Sequence, residues 1–256
     1  ERPSARQVGV WSSKGEQTWH IAEECPVAIV VNRRNYAVML ATPADLDDFA
    51  VGFAISEHIV NAADEILSIR IEQNQIGFDI HLDIREDRLE RLDLQQKRRN
   101  MVGATGCGLC GLENADGFLA KLPTATPLSI LPSVQAMGSA IDALPENQEL
   151  NRQTKSVHAA AWCGSNGNIE LVREDVGRHN AVDKVVGAMA RLINRSEGFL
   201  LVSSRCSYEI VEKAARHNVA VICSISAPTG FAVEKAKEAK IALFASSPHG
   251  VVQINP

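Results

Sequence analysis

The sequence predicts an α/β protein in which a three-layer C-terminal domain, built on a mostly parallel sheet covered by helices, follows a smaller α+β N-terminal domain. Three observations predict it. From about Ser156 onward, short apolar strands alternate with amphipathic helices, the order of successive βαβ units. Before residue 100, β-branched and aromatic runs that partly alternate surround a single clear helix. Between the two lies chain broken by glycines and then prolines. The domains are accordingly expected at 1–100 and 101–256, and 45% hydrophobic composition over 256 residues is enough to bury a sizeable core.

In order along the chain, "ARQVGVWSS", "VAIVVNRRNYAVMLAT" and "IRIEQNQIGFDIHLDI" read as strands of a sheet with one exposed face. "TPADLDDFAVGFAISEHI" reads as a helix with Thr42 as N-cap, Pro43 at the first helical position and acidic residues in the first turn. Leu46, Phe49, Ala50, Phe53 and Ala54 share one of its faces. The charged run "REDRLERLDLQQKRRN" reads as an exposed helix whose charges form a solvated face. A helix is expected from about Ser133 to Leu144.

Then come the strands "HAAAWC" and "NIELVRED", the helix "NAVDKVVGAMARLI", the strand "GFLLVSS", the helix "YEIVEKAARH", the strand "VAVICSIS", the helix "FAVEKAKEA" and the strand "KIALFAS".

The formal charge of −5 is uneven: residues 1–100 hold 12 basic and 17 acidic side chains, the remainder 14 of each. No polybasic face for nucleic acid or an anionic membrane results. No apolar run approaches the ~20 residues of a membrane-spanning helix, and "ERPSARQVGVWSS" lacks the apolar core of a secretory signal. A cytoplasmic protein is expected, although the chain begins with Glu1 rather than Met, so that a preceding targeting segment would be invisible.

The six cysteines, at 25, 107, 110, 163, 206 and 223, form no disulfide framework, and a mostly reduced protein is expected. Cys223, inside "VAVICSIS", reads as a buried strand residue. Cys107 and Cys110 in "GATGCGLCG" are different: they are two residues apart and flanked by Gly106, Gly108 and Gly111.

A zinc site needs four ligands, or three and a water, and this is the chain's one CxxC pair. Completing it would take Cys163 or a histidine such as His158 from some 50 residues away, so no metal is expected. A thioredoxin-type dithiol normally opens a helix, whereas these glycines favour an irregular loop. Such a loop suits a sulfur that must move between two sites.

In a sheet of this kind ligands gather at the carboxyl ends of strands, where helix N-termini present free N–H groups. Three loops there have the chemistry to hold an anion: "REDVGRHN" (173–180), "SSRCS" (203–207) and "SAPTG" (226–230). Neither a dinucleotide-binding GxGxxG nor a P-loop is present. Within "REDVGRHNAVDK" the acidic residues read equally well as a capping and salt-bridge cluster. Arg178 and His179, just before a helix, are better placed for phosphate. Arg205 follows a strand and precedes Ser207, where phosphate recognition competes with an ordinary surface role. His158 in "SVHAAAW" is either a core histidine or a site residue.

Taken together and in order, "DLDDFAVGFAISEHI", "GATGCGLCG", "HAAAW", "REDVGRHNAVDK", "SSRCSYEIV" and "SAPT" resemble the FdhD family of formate dehydrogenase accessory sulfurtransferases, over nearly the whole chain. The resemblance implies a cytidine deaminase-like C-terminal domain without deaminase chemistry. Deaminases use H-x-E and P-C-x-x-C, whereas here "HAA" lacks the glutamate and Gly106 stands in place of the proline.

It also implies a function. Sulfur would be accepted from a cysteine desulfurase as a persulfide on Cys107, with Cys110 assisting, and passed to the molybdenum cofactor, Mo-bis(molybdopterin guanine dinucleotide), destined for formate dehydrogenase. GDP would mimic the cofactor's tail. His158, Arg178, His179 and Arg205 are expected to meet this cofactor, as is a loop after the last strand formed by Phe244, Ala245, Ser246, Ser247, Pro248 and His249. A homodimer is implied by analogy, with neither nucleic acid nor membrane as partner. Two other readings remain open: a chaperone that binds and inserts the cofactor without carrying sulfur, and a zinc-dependent hydrolase on the deaminase fold.

Overall fold

The computed structural model describes residues 2–89, 121–194 and 196–254. Strands β1 (Ala5–Ser12) and β2 (Gly15–Ala22) pair antiparallel as an exposed two-stranded ribbon. Strands β3 (Cys25–Val31) and β4 (Arg34–Ala41) form a hairpin whose two turn residues, Asn32 and Arg33, both have positive φ (43° and 65°). That is the backbone twist a two-residue hairpin requires. The Asn32 amide secures the turn by exchanging hydrogen bonds with the Ile84 backbone at 2.8 and 3.1 Å.

With β5 (Ile66–Gln73) and β6 (Phe78–Ile84) this hairpin makes a four-stranded sheet in the order β4-β3-β6-β5, in which β3 and β6 run parallel. Alternate residues Val27, Ile29, Val31, Ile80, Leu82 and Ile84 are buried on one face. Helix α1 (Leu46–Ser56) joins the same apolar cluster through Phe49 and Phe53.

The helix start differs from the expected one. Asp45, in the left-handed region at φ 53°, precedes Leu46 as the cap residue, and Thr42 lies outside the helix, fully buried. A buried carboxylate draws Thr42 away from capping: its N–H donates to Asp175 Oδ2 at 3.0 Å, and its hydroxyl accepts from Val176 N at 3.1 Å. Of the charged run after β6, residues 86–89 begin a helix; the rest, and the expected domain boundary at residue 100, lie outside the described residues.

Beyond residue 121, α2 (Val134–Asn147) is capped by Ser133, whose side chain accepts from Ala136 N, and α3 (Glu149–Thr154) follows. The larger sheet comprises β7 (His158–Gly164), β8 (Ile169–Asp175), β9 (Gly198–Arg205), β10 (Val221–Ser226), β11 (Ala242–Ser247) and β12 (Gly250–Gln253), in the order β12-β11-β10-β9-β7-β8. Helices α4 (Arg178–Ala190), α5 (Tyr208–Arg216) and α6 (Gly230–Glu238) connect β8 to β9, β9 to β10 and β10 to β11, and neighbours among them pack together. Helix α2 touches both edge strands, β8 and β12. Cys223 is fully buried in β10, as its apolar run predicts.

The expected mostly parallel sheet is corrected to a mixed one. β9, β10 and β11 are parallel, while β7–β8, β7–β9 and β11–β12 pair antiparallel. The reason is local: the 165–168 and 248–249 connections are too short for a crossover and allow only hairpins.

The two sheets meet through α1 and α4, which approach so closely that glycine is required at the crossing. A Cβ on Gly52 would fall 1.8 Å from the Asp183 carbonyl oxygen, and one on Gly187 would fall 1.9 Å from that of Asp48. Gly187→Ala is therefore expected to force the helices apart and to cost about 1–3 kcal/mol or more. Urea unfolding of wild-type and variant protein measures this. A variant as stable as wild type would show that the helices do not cross so tightly.

Candidate functional site

Because β9, β10 and β11 run parallel and β7 runs opposite to β9, one end of the sheet collects the ends of β8, β9, β10 and β11 together with the start of β7. The register makes this specific. His158 pairs with Asp175, and Ser226 with Arg205. Ala159 N donates to Ser203 Oγ at 2.8 Å, and Thr229 N donates to the Cys206 carbonyl at 3.0 Å. The three loops singled out in the sequence thus meet, and His158, Arg178, His179 and Arg205 come with them. A cleft of about 150 Å3 around Trp162 and Glu197 lies by Gly198 and Ala220, at the opposite end.

The twelve residues "REDVGRHNAVDK" divide into two groups. Most are spent on structure. Arg173 holds Asp48 of α1 with two hydrogen bonds, at 2.7 and 2.9 Å. Glu174 accepts from Leu150 N and Asn151 N and so caps α3; burial raises its pKa. Asp175 and Lys184 form a fully buried pair at 2.7 Å. Asp183 accepts from Ser56 and from Lys213, and burial pushes its carboxyl up despite these partners.

Arg178 and His179 form the second group. Arg178 Nε and His179 Nε2 are both buried and make no hydrogen bond among the described residues. Gly177 and Ser207, at the cap positions of α4 and α5, give their helices no side-chain hydrogen bond. Buried, unpaired nitrogens at the start of α4, beside the exposed Arg205, have the chemistry to accept an anion.

Charge is unevenly supplied there. Burial, followed by the Arg178 guanidinium, lowers His179 to about 4. His158, whose Nδ1 is 3.5 Å from Ser203 Oγ, is lowered by burial and by Arg178 and Arg205. Both imidazoles are therefore neutral near pH 7, and the positive charge resides on the two arginines. Glu209, in the first turn of α5, approaches His179 Nε2 to 3.8 Å.

The Phe244 to His249 segment is corrected from a loop after the last strand. Phe244, Ala245, Ser246 and Ser247 belong to β11, with Phe244 and Ala245 buried; Pro248 and His249 alone form the turn, and β12 follows. The hairpin still opens at the same end of the sheet as Arg205, because β11 runs parallel to β10. Cys107 and Cys110 lie outside the described residues. Among the described residues no group of three or more His, Cys, Asp or Glu is placed to hold a metal, and no helix is long and apolar enough to cross a membrane.

Sequence reasoning missed the part Thr42 plays at the start of α4, and it missed Glu209. Thr42 is 134 residues from Val176, whose N–H donates to its hydroxyl. Glu209 was visible only as an ordinary first-turn acid.

A family model described as the FdhD/NarQ family matches residues 22–254. The sulfur carrier protein FdhD of Xanthomonas euvesicatoria pv. vesicatoria is 44% identical over 239 residues, covering 92% of this chain and 84% of that protein. The protein of the same name from Cupriavidus necator is 44% identical over 224 residues, covering 87% and 77%. A crystal structure from Desulfotalea psychrophila, assigned as a formate dehydrogenase accessory protein, superposes with a TM-score of 0.73 at 26% identity, over 98% of this chain and 96% of the other.

Proposed function

The chain belongs to the FdhD/NarQ family, and from that premise we propose that it is a sulfur carrier for formate dehydrogenase. In this reading the Cys107 thiolate attacks the outer sulfur of a cysteine desulfurase persulfide, gaining that sulfur and releasing the desulfurase thiolate. The outer sulfur of that persulfide would then pass to Mo-bis(molybdopterin guanine dinucleotide), which is the substrate: the S–S bond breaks, Cys107 leaves as its thiolate, and the reduced metal of the substrate would supply the two electrons that bring the sulfur to the sulfide level. Cys110 has a tuning role: its thiolate can attack the inner sulfur, expelling hydrosulfide and leaving a Cys107–Cys110 disulfide.

The guanine nucleotide tail meets Arg178, His179, Arg205 and His158, with the Phe244–His249 hairpin alongside. The observation that supports this part is that Arg178 Nε and His179 Nε2 are buried and without a hydrogen-bond partner among the described residues, in a motif whose other charged members are satisfied within the protein. Donors desolvated without a partner carry a cost that a phosphate would remove.

The isolated protein is expected to bind GDP, and Arg205→Ala and Arg178→Ala each to weaken binding roughly tenfold or more, the worth of a charge-assisted contact. Calorimetry is the test. Equal GDP affinity in wild type and both variants would remove the nucleotide from this end of the sheet.

A further inference from the structure

Within the anion site just proposed, and resting on that reading, one group has the wrong sign. Glu209 sits in the first turn of α5, partly exposed; against burial, its carboxylate is held down first by the Ser207 hydroxyl and its own backbone N–H, lies 3.8 Å from His179 Nε2 and is within reach of the Arg178 charge. Helix starts tolerate acids, but this one stands among the donors that an anionic ligand needs. The contact with His179 is too long for a hydrogen bond, and His179 Nε2 has no other partner among the described residues.

We infer that Glu209 is the resident counter-ion of the site: it balances the Arg178 guanidinium when no ligand is bound, and an arriving phosphate must overcome its charge. The groups facing His179 are Arg178 on its own helix, Glu209 and Lys213 from α5, and Arg205 from the end of β9. Lys213 is engaged by Asp183 at 2.8 Å and is not available to neutralise Glu209. Two anions beside one imidazole favour its protonated form. Ligand binding therefore draws a proton onto the His179–Glu209 pair, and affinity rises as pH falls from about 8 toward about 5.5. Glu209 thereby acts as a positioning and charge-setting residue with no contact to sulfur.

The test is calorimetric titration of GDP into full-length wild-type and Glu209→Gln protein at about pH 8 and about pH 5.5, in buffers of different ionisation enthalpy. Gln keeps the shape and removes the charge. Glu209→Gln is expected to bind roughly tenfold more tightly at the higher pH, with the gain shrinking at the lower pH and the linked proton uptake lost. Weaker binding at both pH values, or an unchanged affinity, would overturn the counter-ion role. Should Glu209→Gln fail to fold, the wild type alone decides, since absence of proton uptake on binding equally overturns it. If wild-type protein binds no GDP at either pH, the nucleotide reading itself fails and takes this inference with it.

Discussion

Cys107→Ala protein is expected to fold and to bind GDP as the wild type does, yet to leave formate dehydrogenase essentially inactive in cells that lack any other copy of the carrier. The chemistry requires a sulfur nucleophile at one position, and no other group in "GATGCGLCG" except Cys110 can form a persulfide. The four described cysteines offer no substitute. Cys25, Cys163, Cys206 and Cys223 are all buried, and burial pushes the Cys163, Cys206 and Cys223 thiols up to about 12, so they are not thiolates at neutral pH. Cys110→Ala is expected to retain part of the activity, because it removes a means of discharge rather than the carrier. Formate dehydrogenase assays in complemented cells separate these outcomes. Substantial activity with Cys107→Ala would transfer the carrier role to Cys110.

Lys184→Met is expected to be the most destabilising single change at the interface between the two sheets. Lys184 Nζ lies 2.7 Å from Asp175, neither side chain is exposed, and the ammonium also donates to the Thr42 and Glu174 carbonyls at 3.0 and 3.2 Å. Removing one partner of a buried pair leaves an uncompensated charge and costs about 3–5 kcal/mol, a fall in melting temperature of roughly 6–20 °C for a protein of this size. The double variant Asp175→Asn/Lys184→Met removes both charges and is expected to recover much of the loss. Thermal melts of the three proteins decide it. A fall of about 1 kcal/mol or less in the single variant would show that the pair is not buried as described.

The same pair explains what the sequence could and could not reveal. Asp175 and Lys184 are read readily as a salt bridge near a helix start. That Asp175 also receives Thr42 N could not be read, because Thr42 lies 133 residues earlier and followed by proline it has every local mark of an N-cap. Propensity placed the helix within a few residues; a tertiary hydrogen bond moved its start. The ribbon strand β2, "GEQTWHIA", escaped notice because most of its residues are exposed. A strand buried on neither face carries no alternation to detect. Gly52 and Gly187 gave no local signal either, since their reason is a helix packed from the other half of the chain.

Strands with apolar cores and the helix from about Ser133 were legible, as were the three loops that meet at one end of the sheet, because each follows from neighbours in sequence. The mixed sheet was not read, although "GSNGN" and "SSPHG" are too short for crossovers: the alternation of strands and helices elsewhere in this half of the chain suggested parallel pairing throughout. Within the site, residue type singled out Arg178, His179 and Arg205. Charge state did not follow from it: His179 is a neutral imidazole rather than a cation, through burial and the neighbouring guanidinium.

Mass spectrometry of the intact protein and its peptides, after incubation with a cysteine desulfurase and free cysteine, tests the sulfur-carrier reading most directly. A gain of one sulfur atom is expected on the peptide containing Cys107, reversed by a reducing thiol, with no gain in Cys107→Ala protein. Sulfur found on neither Cys107 nor Cys110 in wild-type protein, with formate dehydrogenase activation intact, would contradict it and leave a cofactor chaperone in its place.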